Sequence, residues 1–184
     1  MSVNRTPLRG FSLIELMIGL ALAVILLLLA APGYALWIAD GHIRNATESV
    51  ASGMRLAWSE AVKRNTPVEF IIDGTTATGG WDVNVPGTGP GTGIFQSGLF
   101  AEGAPRAAFG KAPVGATTVT FTGLGTIGVN ADASAPLREV VVTESSGLAG
   151  SRPLTVLVGG GRSGIKVCDP AVTDTTDGRF CTTL

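Results

Sequence analysis

Arg9-Gly10-Phe11-Ser12-Leu13-Ile14-Glu15-Leu16 opens an apolar run that continues to Ala39. From Leu16 to Ala39 there are 24 residues without a charge, and Leu20 to Ala31 is solidly aliphatic. As a helix, such a run spans about 36 Å, enough to cross a hydrocarbon core of about 30 Å. Arg5 and Arg9 precede it, and Asp40 and Arg44 follow. The basic lead predicts a cytoplasmic N-terminus and a translocated remainder. A cleaved secretory signal has a shorter apolar region, about 7–15 residues, ending at a small-residue cleavage site. A simple single-pass anchor accounts for the length but not for Glu15. An acid inside a membrane helix costs free energy and marks a functional position.

The block from Arg9 to Leu16, taken whole, resembles the type III signal of type IV pilins and type II secretion pseudopilins. In that family a prepilin peptidase cuts after the glycine, and the new first residue, usually Phe, is N-methylated. The resemblance implies cleavage between Gly10 and Phe11, N-methylation of Phe11, and an assembly role for Glu15. A carboxylate there can pair with the N-terminal amine of a neighbouring subunit, and a buried charge is tolerated only when paired. It also implies an inner-membrane protein with a periplasmic C-terminal domain. The implied partners are the prepilin peptidase, other pilin or pseudopilin subunits, the inner-membrane assembly platform and secreted cargo.

Pro32 interrupts the apolar run. A proline inside a helix removes a hydrogen bond and bends it, so a kink or local melting is expected. A helical pattern then resumes with Ile43, Ala46, Val50, Gly53 or Met54, Ala57 and Ala61, at steps of three and four. That spacing predicts an amphipathic helix with a narrow apolar stripe. Asn65-Thr66-Pro67 stops it. Trp58 reads as a core anchor, and His42, the single histidine, as a solvated residue at the membrane boundary.

Beyond Pro67 the signals change to short strands and glycine-rich turns. Strands are expected at Val68–Ile72, Trp81–Val85, Ile94–Phe100, Thr117–Thr122, Arg138–Thr143, Leu154–Val158 and Ser163–Val167. Pro86 to Gly93 reads as a loop. The fold class is therefore α+β, a long N-terminal helix packed on an antiparallel β-sheet domain. The segments expected are a leader at 1–10, an assembly helix at 11–39, an amphipathic continuation at 40–66 and a β-domain at 67–184.

A second resemblance is narrower. Leu56-Ala57-Trp58-Ser59-Glu60-Ala61-Val62-Lys63-Arg64-Asn65, then Pro67-Val68, is similar to the helix end of the GspH/FimT family of minor pilins. Trp58 stands where that family usually has Arg. Thr120-Phe121-Thr122-Gly123 resembles its mid-domain strand and turn. Ile165-Lys166-Val167-Cys168-Asp169-Pro170 and Gly178-Arg179-Phe180-Cys181 resemble its C-terminal segment. The family includes minor pseudopilins of type II secretion and FimT-like type IV minor pilins.

Composition supports this partition. The chain has 184 residues, 45% hydrophobic and only 15% charged, with 26 glycines. Its 13 basic and 14 acidic residues leave a formal charge of −1, and mean hydropathy is +0.39. Those values argue against a disordered acidic tail, a basic nucleic-acid arm and a charged coiled coil.

Cys168 and Cys181 enclose a segment with little core-forming material. In a periplasmic domain disulfides persist, and one closing this loop contributes about 3 kcal/mol. A metal pair or redox pair is disfavoured by the lack of CxxC spacing and of a nearby histidine. Gly123-Leu124-Gly125-Thr126-Ile127-Gly128 matches GxGxxG, but Val129 to Pro136 makes a poor helix. A dinucleotide site needs that helix N-terminus, so these read as turn glycines. A single histidine disfavours most catalytic triads, and no catalytic motif is present, so neither an enzyme nor a cofactor is expected.

FimT-like family members can bind DNA through arginines in a GRxR motif before the first C-terminal cysteine. Here Gly161-Arg162-Ser163-Gly164 carries only the first arginine, with Lys166 and Arg179 nearby. Asp169, Asp174 and Asp177 offset Arg162, Lys166 and Arg179, whereas phosphate binding needs clustered positive charge. DNA uptake is the alternative function, with Arg162, Lys166 and Arg179 as its candidate residues.

Overall fold

The computed structural model describes residues 11–74, 76, 78–88, 93–159 and 164–182. Helix α1 covers Leu13–Arg64, 52 residues. It is capped by Ser12, whose hydroxyl accepts the Glu15 backbone N–H at 3.3 Å. This is the first half of a Ser-x-x-Glu capping box, and an acid in the first turn also favours the helix dipole. The helix assignment runs unbroken through Pro32, so local melting there is not what the structure shows.

The chain divides into two compact units, one ending at Ala35 and one beginning at Leu36. In the first, the large apolar side chains lie exposed, including Leu13, Ile14, Leu16, Met17, Ile18 and Leu26 to Leu29. With a stretch of mean hydropathy 2.9, the helix is long and apolar enough to cross a membrane by length and composition.

In the second unit the expected stripe is the buried one. Ile43, Ala46, Val50, Met54, Ala57 and Ala61 are each at most 1% exposed. The helix stops at Arg64. Glu60 pairs with Arg64 at 2.7 Å and with Lys63 at 3.4 Å, and Arg64, the nearer partner, holds the Glu60 carboxyl below the usual carboxylate range. Asn65 takes a left-handed conformation, with φ of 51°, as helix exits commonly do.

Among the described residues eight strands form two antiparallel sheets. β1 (Val68–Asp73), β2 (Gly80–Asn84), β3 (Ile94–Leu99), β4 (Ala107–Ala112), β5 (Thr118–Phe121), β6 (Glu139–Glu144), β7 (Leu154–Val158) and β8 (Ile165–Cys168) come in that order. One sheet runs β3-β2-β1-β5 and the other β4-β6-β7-β8. Seven strands fall where alternation and turn residues place them, within a residue or two at most ends. Ser163 of the last expected strand lies outside the described residues. β4 is new.

One buried core joins α1 to both sheets. It includes Phe70, Ile72, Trp81 and Val83 from the first sheet and Phe109, Val140, Val142 and Val156 from the second. Phe100 and Phe109 stack with ring centroids 4.0 Å apart. The buried Glu69 ties loops to β1: its carboxylate accepts N–H bonds from Gly87 at 3.3 Å and Ala131 at 3.1 Å.

Candidate functional site

The features marked by sequence reasoning lie in three places: the start of the helix, its apolar length, and the C-terminal segment closed by the cysteines.

Gly10 lies outside the described residues, so the expected cleavage junction is seen only from its Phe11 side. Phe11 is 83% exposed. Glu15 stands four residues on, exposed, in the first turn of α1. Its backbone N–H makes the bond to Ser12 described above. Its side chain has open surroundings in a single chain, and so does the apolar length beyond it. A contiguous apolar surface of this extent calls for lipid or for other protein.

At the other end, Cys168 and Cys181 form a disulfide with Cα atoms 5.2 Å apart. Between them three aspartates shape the chain. Asp169 accepts the Ala171 N–H, Asp174 the Thr176 N–H and Asp177 the Arg179 N–H, at 2.9, 2.9 and 2.8 Å. These are Asx turns, in which a short acid caps a backbone group two residues ahead. In the sequence the same acids stand out as charge offsets, while the repeated Asp-x-x spacing is the signal for their turn role.

The cations of this segment have local partners. Lys166 Nζ donates to the Phe180 carbonyl at 2.8 Å. Arg179 pairs with Asp177 at 2.8 Å, and that guanidinium holds the Asp177 carboxyl down at about 2. Arg162 lies outside the described residues. The described residues therefore give Lys166 and Arg179 to the folding of the C-terminal segment.

The glycine motif is a turn. After β5, Gly125 N–H donates to the Thr122 carbonyl at 2.9 Å and Thr122 N–H to the Thr126 carbonyl at 2.8 Å. Trp58 Nε1 donates to the Gly125 carbonyl at 3.1 Å, so Trp58 anchors this turn to the helix. A Cβ on Gly125, whose φ is +75°, would lie 2.9 Å from that indole nitrogen. His42 departs from expectation. It is half-buried, and its Nδ1, shielded from solvent, has no hydrogen-bond partner among the described residues.

Sequence reasoning missed one long-range contact at the head of the domain. Asp40 accepts the backbone N–H of Arg152 at 2.9 Å, across 112 residues. Periodicity within one segment carries no signal for it.

A single helix, apolar and exposed in its first part and buried against antiparallel sheets in its second, defines a pilin-like subunit. Residues 46–161 match the family described as type II transport protein GspH, which is more than half of the 184 residues. The chain belongs to that family, and is thereby a minor pilin or pseudopilin. Its fold is similar to the type IV minor pilin FimU of Pseudomonas aeruginosa strain PAO1 in two crystal forms. The P21 form is 16% identical, covering 69% of this chain and 87% of that one with a TM-score of 0.47. The P65 form is 17% identical, covering 72% and 97% with a TM-score of 0.49. No curated protein matches the chain.

Proposed function

We propose that the chain is a structural subunit, processed between Gly10 and Phe11 and N-methylated on Phe11. It is inserted in the bacterial inner membrane and then assembled into a secretion pseudopilus or type IV pilus. The β-domain faces the periplasm, where it meets other subunits or cargo. The observation that carries this reading is the helix itself. Its second part is the buried spine of the domain, while its first part exposes nearly every large apolar side chain. Assembly moves that surface from lipid into a bundle of like helices, with Glu15 taking an amine partner. A bend at Pro32 fits the helix into that bundle, since proline lacks the N–H that would hold the turn straight.

The leader is tested by Gly10→Val. The wild-type chain is expected to lose residues 1–10 when the prepilin peptidase is present, and the variant to stay at full size in the membrane fraction. A Gly10→Val chain that still ran at mature size with Phe11 first would overturn the proposed processing.

The DNA-uptake alternative gains no support from the described residues, because Lys166 and Arg179 are held by Phe180 and Asp177.

A further inference from the structure

Three arginines far apart in sequence meet at the head of the domain. Arg44 comes from α1, Arg152 from the turn before β7, and Arg179 from the disulfide-closed segment. With Asp40, Asp169, Leu154, Val167 and Cys168 they line a cavity of about 240 Å³. The Asp40 contact to the Arg152 backbone fixes the register of helix and turn. Arg179 is paired with Asp177 and also feels Asp169. Among the described residues no carboxylate pairs with the guanidinium of Arg44 or Arg152.

Arg44 lies five residues past Ala39, the last residue of the uncharged run, hence about 7.5 Å further along the axis. The headgroup layer occupies the first several ångströms outside the hydrocarbon core. Trp37, one turn before Gly41, is 71% exposed, as aromatic side chains at the membrane interface are.

We infer that this cavity holds the headgroup of a zwitterionic, amine-bearing phospholipid. Arg44 and Arg152 bind the phosphate, and Asp40 and Asp169 face the ammonium. The mixed lining decides the ligand class. Guanidinium groups match phosphate oxygens, but two carboxylates in the same wall repel a polyanion such as DNA and a purely anionic lipid. A phosphate carrying an ammonium two carbons away satisfies both signs. Each aspartate gives one oxygen to a backbone N–H, which leaves the other for the ligand. Such a contact seats the domain on the outer leaflet before the helix leaves the membrane. The inference rests on the proposed membrane placement of Leu16–Ala39.

The test uses the full chain in non-ionic detergent, titrated with phosphatidylethanolamine, phosphatidylcholine and phosphatidylglycerol of equal chain length. Bound lipid is counted by native mass spectrometry. Phosphatidylethanolamine is expected to bind about tenfold more tightly than the other two, as one charge-assisted contact predicts. Arg44→Gln with Arg152→Gln is expected to remove that binding. Asp40→Asn with Asp169→Asn is expected to keep lipid binding but remove the preference for phosphatidylethanolamine over the other two. Equal binding of the three lipids by the wild type would overturn the inference. So would unchanged binding by the arginine variant, full competition by free phosphoethanolamine, or salt-dependent DNA binding lost in the arginine variant. Carbonate-resistant retention in membranes, measured in parallel, reads the membrane placement independently. Chains that stay in the membrane but show no headgroup preference refute the headgroup site alone. Chains washed out by carbonate refute the placement and the inference with it.

Discussion

Gly53→Val is expected to lower the midpoint of thermal unfolding by roughly 6–12 °C, read by circular dichroism on the full chain in detergent. Gly53 is buried on α1 where the helix meets the first sheet. A Cβ built there would lie 2.8 Å from the Trp81 ring and 2.9 Å from Phe70. The indole cannot retreat. On its other side a Cβ on Gly98 of β3 would lie 2.6 Å from the same ring, so Trp81 is held between two glycines. Its Nε1 donates to Ser49 Oγ at 2.9 Å, and it stacks on Phe70 with centroids 6.0 Å apart. Overpacking of so fixed a site costs about 3 kcal/mol. Gly41, with nothing within 4 Å of an added Cβ, is the control. Gly41→Ala is expected to leave the midpoint unchanged or raise it slightly, as alanine favours helix by about 1 kcal/mol. Equal midpoints for wild type and Gly53→Val would show that the helix does not pack on β2 at this distance.

The second large effect concerns Glu15 and separates the charge of its side chain from its place in the first turn of α1. At the helix start Glu15 gives its backbone N–H to Ser12 Oγ, a bond that glutamine keeps. In the proposed assembly Glu15 pairs with an amine inside a helix bundle, and there it has no neutral substitute. Removing one partner of a buried pair costs about 3–5 kcal/mol. Glu15→Gln is therefore expected to reduce incorporation into filaments by roughly a hundredfold, while processing and membrane insertion stay normal. Glu15→Lys is expected to abolish incorporation. Sheared filaments, quantified by immunoblot against the membrane fraction, give the measurement. Normal incorporation of Glu15→Gln would show that assembly does not use the Glu15 charge.

How far the sequence discloses this structure depends on the range of each interaction. The apolar run and the stripe from Ile43 to Ala61 are local periodicities, and local periodicity survives in the fold. Strands such as Glu139-Val140-Val141-Val142-Thr143 carry their own β-branched signature. β4 does not. Ala107-Ala108-Phe109-Gly110-Lys111-Ala112 has no β-branched residue, and it is a strand because β6 pairs with it from Ala107 to Ala112 and Phe109 stacks on Phe100. The division into two sheets is likewise hidden, since strand alternation does not say which strands are neighbours. The chain enters the second sheet at β4, returns to the first at β5, and leaves again at β6.

The candidate site divides in the same way. Gly10, Phe11 and Glu15 form a contiguous motif and are legible at once. The GxGxxG run is legible as a turn because no helix-forming sequence comes after it. The Arg44, Arg152 and Arg179 cavity is not legible, because nothing within any one segment marks the other two. Lys166 and Arg179 look like free charge in the sequence. Their partners, the Phe180 carbonyl and Asp177, lie within the segment, but only its folded turns bring them into contact.

The proposed cleavage at Gly10 and incorporation into a filament through the N-terminal helix leave one signature, the N-terminus of the assembled chain. The most direct measurement is mass spectrometry of the N-terminal peptide from sheared, purified filaments. The expected result is a peptide of this chain that begins with N-methylated Phe11 and retains Glu15. Recovery of the chain only in membranes, or with an N-terminus elsewhere in the apolar run, would contradict it.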